Sequence, residues 1–126
     1  MLYDSEFLIG LSGQKGEPRM LRAKGFLAQH SRQIPYLSRV CWAEYAEGCE
    51  HQAQVDRDTR SFRTLEINER IAWIASRLSR LLKGKGQHIG DNDVWIAATA
   101  LVYGLPVVSN NKTHLGRVPG LILLSY

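Results

Sequence analysis

Residues 89–115 read IGDNDVWIAATALVYGLPVVSNNKTHL, and the rest of the chain is best read outward from them. Two carboxylates, Asp91 and Asp93, bracket Asn92. Fifteen residues then follow, Val94 to Val108, without a charge. That run is too short for a bilayer, which needs ~20 apolar residues, and Pro106 interrupts it. The segment VWIAATALVYG is apolar on every face and rich in alanine, the pattern of a helix packed closely on several sides. Gly104 suits its left-handed C-terminal residue, and Asp93 is expected as its acidic N-cap. LPVVS then reads as a short buried strand broken by SNN. An acidic cluster thus opens a core helix and a polar cluster ends the next strand, where α/β proteins build sites.

The flanking chain is consistent with one α/β domain spanning residues 1–126. No repeat, linker or low-complexity segment divides it. The net charge is +4 with a pI near 9.3, a balance that favours an anionic partner. Cys41 and Cys49 fall on one expected helix about 12 Å apart, too far to bridge. With no signal-peptide pattern, this implies a reducing, cytoplasmic setting and no membrane association.

In chain order, Met1–Tyr3 form a strand stub that runs into Asp4 and Ser5. Asp4 is open to two readings, a plain helix N-cap or a functional carboxylate. Residues 16–29 read as a helix with Met20, Leu21 and Leu27 inward. Ile34–Leu37 suit a second strand, with Pro35 confined to its start or to an edge. Ser38 is a good N-cap for a helix whose stripe is Val40, Ala43 and Ala46. Glu44 sits in that helix among Val40, Cys41, Trp42, Ala43 and Tyr45, so it is expected to be partly buried. A pair with Arg39 or a solvated edge would also account for it.

Residues 50–61 read as exposed helix and turn without chemistry, and residues 61–67 as a third strand. Asn68 caps the clearest amphipathic helix, ERIAWIASRLSRLLK. Its apolar residues Ile71, Ile74, Ala75, Leu78, Leu81 and Leu82 fall within an arc of ~120°. Trp73 lies off that arc, flanked by Arg70, Arg77 and Arg80. It is either a local cation–π partner or part of a partner surface. A turn or short helix over KTHLGRVPG and a strand in LILLSY close the chain. The resulting order, β-α-α-β-α-α-β-α-α-β-α-β, implies a mostly parallel sheet covered on both faces.

In a parallel sheet the strand ends share one edge, so Asp4, Glu44, Asp93 and Asn111 can meet in one pocket. Gathered carboxylates raise one another's pKa values, and a divalent cation relieves the conflict. An all-oxygen set suits Mg2+ or Mn2+ rather than zinc, and such ions serve phosphodiester hydrolysis. A zinc site from Cys41, Cys49 and His51 lacks the spacing and a fourth ligand. No glycine-rich phosphate loop is present, and the four histidines have no nucleophile at a recognisable elbow.

Four segments together resemble the PIN-domain proteins of the VapC type, from toxin–antitoxin pairs. They are YDSEFLI (3–9), WAEYAEG (42–48), IGDNDVWIAATALVYGLPVVSNN (89–111) and HLGRVPGLILL (114–124). The resemblance implies a PIN-like three-layer α/β/α sandwich with a central, mostly parallel sheet. It also implies an Mg2+- or Mn2+-dependent endoribonuclease, restrained by a cognate VapB-type antitoxin and paired as a homodimer. Asp4, Glu44 and Asp93 match its three acidic positions and would be catalytic and metal-binding. Ser5 matches the supporting hydroxyl residue and Asn111 the fourth position, with Asp91 as a reserve ligand. Glu6 departs from the pattern by adding negative charge, and Ser109-Asn110 by removing a possible phosphate contact. Those departures leave a PIN-like module with little or no catalysis, acting through RNA or protein binding, as the alternative. The groove and dimer contacts implied by the resemblance offer a role for the Trp73 face.

Overall fold

The structure, a computed structural model, describes residues 1–126. Its elements follow the expected order. They are β1 (Leu2–Tyr3), α1 (Ser5–Leu11), α2 (Pro18–Gln29), β2 (Tyr36–Ser38), α3 (Arg39–Glu47) and α4 (Gln52–Asp58). There follow β3 (Arg63–Leu65), α5 (Glu69–Gly84), α6 (Asp91–Tyr103), β4 (Val107–Val108), α7 (Lys112–Leu115) and β5 (Leu123–Leu124).

The five strands form one parallel sheet in the order β3-β2-β1-β4-β5. Leu2, Tyr3, Leu37, Val107 and Val108 are buried in it, as expected of strands covered on both faces. The chain steps from β1 to β2 to β3 on one side, then returns through α5 and α6 to lay β4 on the other side of β1. The pair β1–β4 is therefore the switch point, and the crevice beyond its carboxyl ends is where such sheets take ligands.

Register does the rest. Tyr3 pairs with Leu37 and with Val108, so Asp4, Ser38 and Ser109 come level at one edge. All three are buried.

The strands are shorter than the sequence suggested, and β2 starts at Tyr36 rather than Ile34 and takes in Ser38. Residues 61–67 contribute only Arg63–Leu65. Pro35 stands just before β2, which is an interior strand, and its carbonyl accepts from the Arg63 N–H at 2.9 Å. Three facing assignments are corrected. Leu21 is exposed, and Met20 and Ala23 are the buried residues of α2. In α3 the buried residues are Cys41 and Tyr45, one turn apart, while Ala43 is exposed. Leu81 is also exposed, whereas Ile71, Ala75, Leu78 and Leu82 of α5 are buried. Cys49 lies beyond the C-cap of α3, and both cysteines are free.

Residues 50–61 are more structural than their charge implied. Val55 and Thr59 are buried, and the Tyr45 hydroxyl bridges Asp58 and Ser12 at 2.8 Å each. A carboxylate only accepts, so the tyrosine proton goes to Asp58, tying α3 and α4 to the end of α1. No helix is long and apolar enough to cross a membrane.

Candidate active site at the carboxyl edge of the sheet

Asp4 is where the backbone leaves β1 and turns into α1. Its Oδ1 caps that helix, accepting from the Phe7 N–H at 2.8 Å. The plain cap reading is therefore correct as far as it goes. It uses one oxygen. The Ser109 hydroxyl lies level with Asp4 at the end of β4 and favours its charged form, while its Oγ accepts from the Asn111 N–H at 3.0 Å. Asp4 is only 5% exposed. Burial raises its pKa from the ordinary 3.8 to about 6, against the lowering effect of those hydrogen bonds. Repulsion from Glu6 and Glu44 adds a smaller upward push. The sequence reading expected mutual repulsion, but desolvation is the larger cause.

Glu44 projects from α3 and is half-buried. Ser5 Oγ donates to its Oε2 at 2.7 Å, and Asn92 Nδ2 to its Oε1 at 3.0 Å. The pairing with Arg39 does not form, because Arg39 binds Glu66 with both Nε and Nη2.

Asp93 is reached through an unusual turn. Gly90 caps α6 with φ 91°, a backbone conformation natural to glycine. The helix consequently starts at Asp91, and Asp93 is its third residue rather than its N-cap. Successive helical residues are rotated by about 100°, so Asp91, Asn92 and Asp93 point three ways. Asp91 is 82% exposed and lies 3.9 Å from His88; it borders a depression with Ala72, Ala75 and Ser76 of α5. The structure thus keeps the reserve ligand Asp91 away from the other carboxylates. Asn92 turns to Glu44. Asp93 turns to α7, where His114 Nδ1 lies 3.0 Å and Asn111 Nδ2 3.5 Å from its Oδ2.

Asp4 and Asn111 line one pocket of about 190 Å³ with Arg19, Arg22, Asn110 and Tyr126. Glu44 faces a larger neighbouring cleft of about 720 Å³ between α1, α3 and α4. No three His, Cys, Asp or Glu side chains converge as a ready metal cage. Glu44 and Asp93 are instead each held by two donors, and Asp4 by the Phe7 N–H, each on its own stretch of the edge. Their chemistry still fits a hard cation: three carboxylates, all offering oxygen, with the Asn111 amide beside Asp93.

The two departures noted in the sequence acquire partners. Glu6 binds Arg19 through its carboxylate, and its backbone carbonyl accepts from the same Nη2 at 2.9 Å. The Arg19 stem lies over Gly10, where a Cβ would come within 3.0 Å of it. Asn110 clasps the backbone of Tyr126, with bonds of 3.0 and 3.1 Å. The Tyr126 ring packs on Phe7 at 4.7 Å, and burial, then the nearby Asp4, pushes its phenol up to about 12. Trp73 is 59% exposed on α5, with the Arg77 guanidinium 4.4 Å from its ring centre. Arg70 and Arg80 are exposed beside it.

Asn92, His114 and Tyr126 are the residues that sequence reasoning missed as parts of this edge. Two carried a signal. Asn111 and His114 are three residues apart at a helix start, and Asn92 sits between two acids on a helix, so it had to face a different group from either.

Residues 1–121 match the family model for the PIN domain. The chain belongs to the PIN domain family. Over 57 residues it is 37% identical to Ribonuclease VapC1 of Methanocaldococcus jannaschii, covering 45% of this chain and 42% of that protein. The match therefore spans less than half the length of that relative. Among solved structures, this PIN domain resembles VapBC2 from Rickettsia felis, bound there to a promoter DNA fragment. The TM-score is 0.79 at 21% identity, over 100% of this chain and 99% of that one. It also resembles VapBC-1 from nontypeable Haemophilus influenzae, with a TM-score of 0.76 at 25% identity over 99% and 98%. The parallel sheet with helices on both faces is thus the PIN-like α/β/α sandwich implied by the sequence.

Proposed function

We propose that this PIN domain is a metal-dependent endoribonuclease of the VapC type, the toxin of a toxin–antitoxin pair. The observation that carries the reading is the placement of Asp4, Glu44 and Asp93. Three distant segments bring them to one edge of the sheet beyond the switch point, in a family whose curated relative is named a ribonuclease. Mg2+ or Mn2+, when bound, would supply positive charge against a phosphodiester and acidify water.

The residues that would hold the ion are Asp4, through the oxygen not used as a cap, Glu44 and Asp93, with Asn111 beside them. Ser5 and Asn92 fix the Glu44 carboxylate, and the Phe7 N–H fixes that of Asp4. Arg19 and Arg22 line the pocket that contains Asp4 and offer cations to an RNA backbone. Glu6 takes up part of the Arg19 charge, so its effect is to hold that arginine in place. The buried thiol of Cys41, pushed up to about 12 by burial, stays unreactive.

The alternative is a PIN-like module with weak or no catalysis, acting through RNA or protein binding. Purified protein incubated with structured RNA, with Mn2+ and then with EDTA, separates the two. Cleavage that needs Mn2+ supports the nuclease. A melting temperature unmoved by millimolar Mn2+ together with intact RNA supports the module, because an ion that binds only the native site must stabilise it.

The partners follow from the same reading. A VapB-type antitoxin and a second copy of this chain are the expected contacts, and the face of Trp73, Arg70, Arg77 and Arg80 is assigned to one of them. Tryptophan and arginine dominate interface energies, by ~2 kcal/mol or more each when centrally buried.

A further inference from the structure

The short helix α7 is fixed at both ends. Asn111 caps it by accepting from the His114 N–H at 3.3 Å. Gly116 closes it, because a Cβ there would collide with the Lys112 carbonyl oxygen. Leu115 is buried and roots it in the core. Residues three apart at a helix start share a face, so Asn111 and His114 are presented together to the first turn of α6. Both donate to the same atom, Asp93 Oδ2, His114 from 3.0 Å and Asn111 from 3.5 Å. A carboxylate oxygen can only accept, so Nδ1 carries the proton in this contact. Asp93 Oδ1 has no donor of its own.

We infer that His114 is a positioning residue for Asp93: its Nδ1–H holds Oδ2 and so turns Oδ1 outward for a divalent cation. The inference rests on the nuclease reading above. A carboxylate rotates readily about its last torsion, and one well-placed donor selects a single orientation. Groups that hold a metal-ligating side chain in this way are worth about 10–100-fold in metal affinity or activity. The 3.5 Å contact from Asn111 is too long to fix the orientation alone. His114 is 44% exposed, so it can be replaced without opening a cavity.

The two ring nitrogens can be told apart by substitution. An asparagine places an amide N–H near the position of Nδ1, and a glutamine places one near Nε2. His114→Asn, His114→Gln and His114→Ala are compared in the full chain. Mn2+ affinity is measured by calorimetry and as the half-saturating concentration for RNA cleavage, with melting temperature as the control for folding. The Asn variant should stay within about threefold of wild type, while Gln and Ala should need about 10–100-fold more Mn2+. Their cleavage should recover at high Mn2+. Equal losses in Asn and Gln, or Mn2+ requirements like wild type in all three, would overturn the positioning role and leave the nuclease reading standing. A wild type that neither binds Mn2+ nor cleaves RNA would overturn both. Nitrogen NMR of the imidazole gives a check independent of how the variants fold. The proton should sit on Nδ1 in wild type and move to Nε2 in Asp93→Ala; an Nε2–H in wild type overturns the pairing.

Discussion

Helices α5 and α6 pack against each other, yet they use their sequences in opposite ways. In α6, Val94 and Ile96 to Ala100 are buried with Trp95 half-buried between them, and the charged residues are confined to the first turn. In α5, polar residues run the whole length of the outer face, and the buried residues recur at helical spacing. A helix wrapped on all sides can meet solvent only at an end, so α6 delivers its chemistry there. A helix buried along one stripe has a long free face, and α5 displays Trp73 and its arginines on it. The end of one helix thus makes the candidate site, and the side of the other leaves an aromatic and basic face exposed.

The contrast can be broken first at the end of α6. Asp93→Asn should lower RNA cleavage about a hundredfold or more, since it weakens a site whose charge stabilisation amounts to several kcal/mol. Its melting temperature should stay level or rise, because a negative charge is removed from an acidic edge. A cleavage rate like that of wild type would return Asp93 to a purely structural role.

Inside α6 the expected effect is on stability. Ile96 is buried, and Ile96→Ala should cost about 2–5 kcal/mol. Denaturant unfolding that shows less than about 1 kcal/mol would mean that α6 is not the packed centre described here.

The third test concerns pH in the metal-free protein. The folded pKa of Asp4 is raised from 3.8 to about 6 by burial, so the native state binds its proton more tightly than the unfolded chain. The associated stability is fully present below 3.8 and is lost as pH rises through about 6. Its size is on the order of 3 kcal/mol. Asp4→Asn should flatten that slope between those pH values. Urea unfolding across the range checks it, and an unchanged slope in the variant would assign the effect to another group.

The smallest effect on the fold should come from the free face of α5. Trp73→Ala should change monomer stability by about 0.5 kcal/mol or less, because an exposed site has little packing to lose. Its effect should show instead in light-scattering mass, or in affinity for an antitoxin. Mass and affinity both equal to wild type would leave Trp73 as a local stacking partner of Arg77.

Periodicity, caps and punctuation were sufficient for the element order. The alternation of apolar strands and helices, the caps Ser38 and Asn68 and the stop at Gly104 are all local, and each was readable without tertiary information. The three acids could be nominated on the same basis, together with a resemblance spanning most of the chain. Three matters belonged to the tertiary structure. The start of α6 depended on the positive φ of Gly90, and a helix begun three residues earlier re-aims every residue of its first turn. That rotation separates Asp91 from Asp93 and sends Asn92 to Glu44. The raised pKa of Asp4 came from how completely the sheet edge is buried, a property of packing and not of neighbours in sequence. The donors Asn92, on Glu44, and His114, on Asp93, are contributed by segments distant in the chain from the carboxylates they hold. Sequence records which groups are available, and only the strand register and the helix phase decide which of them meet.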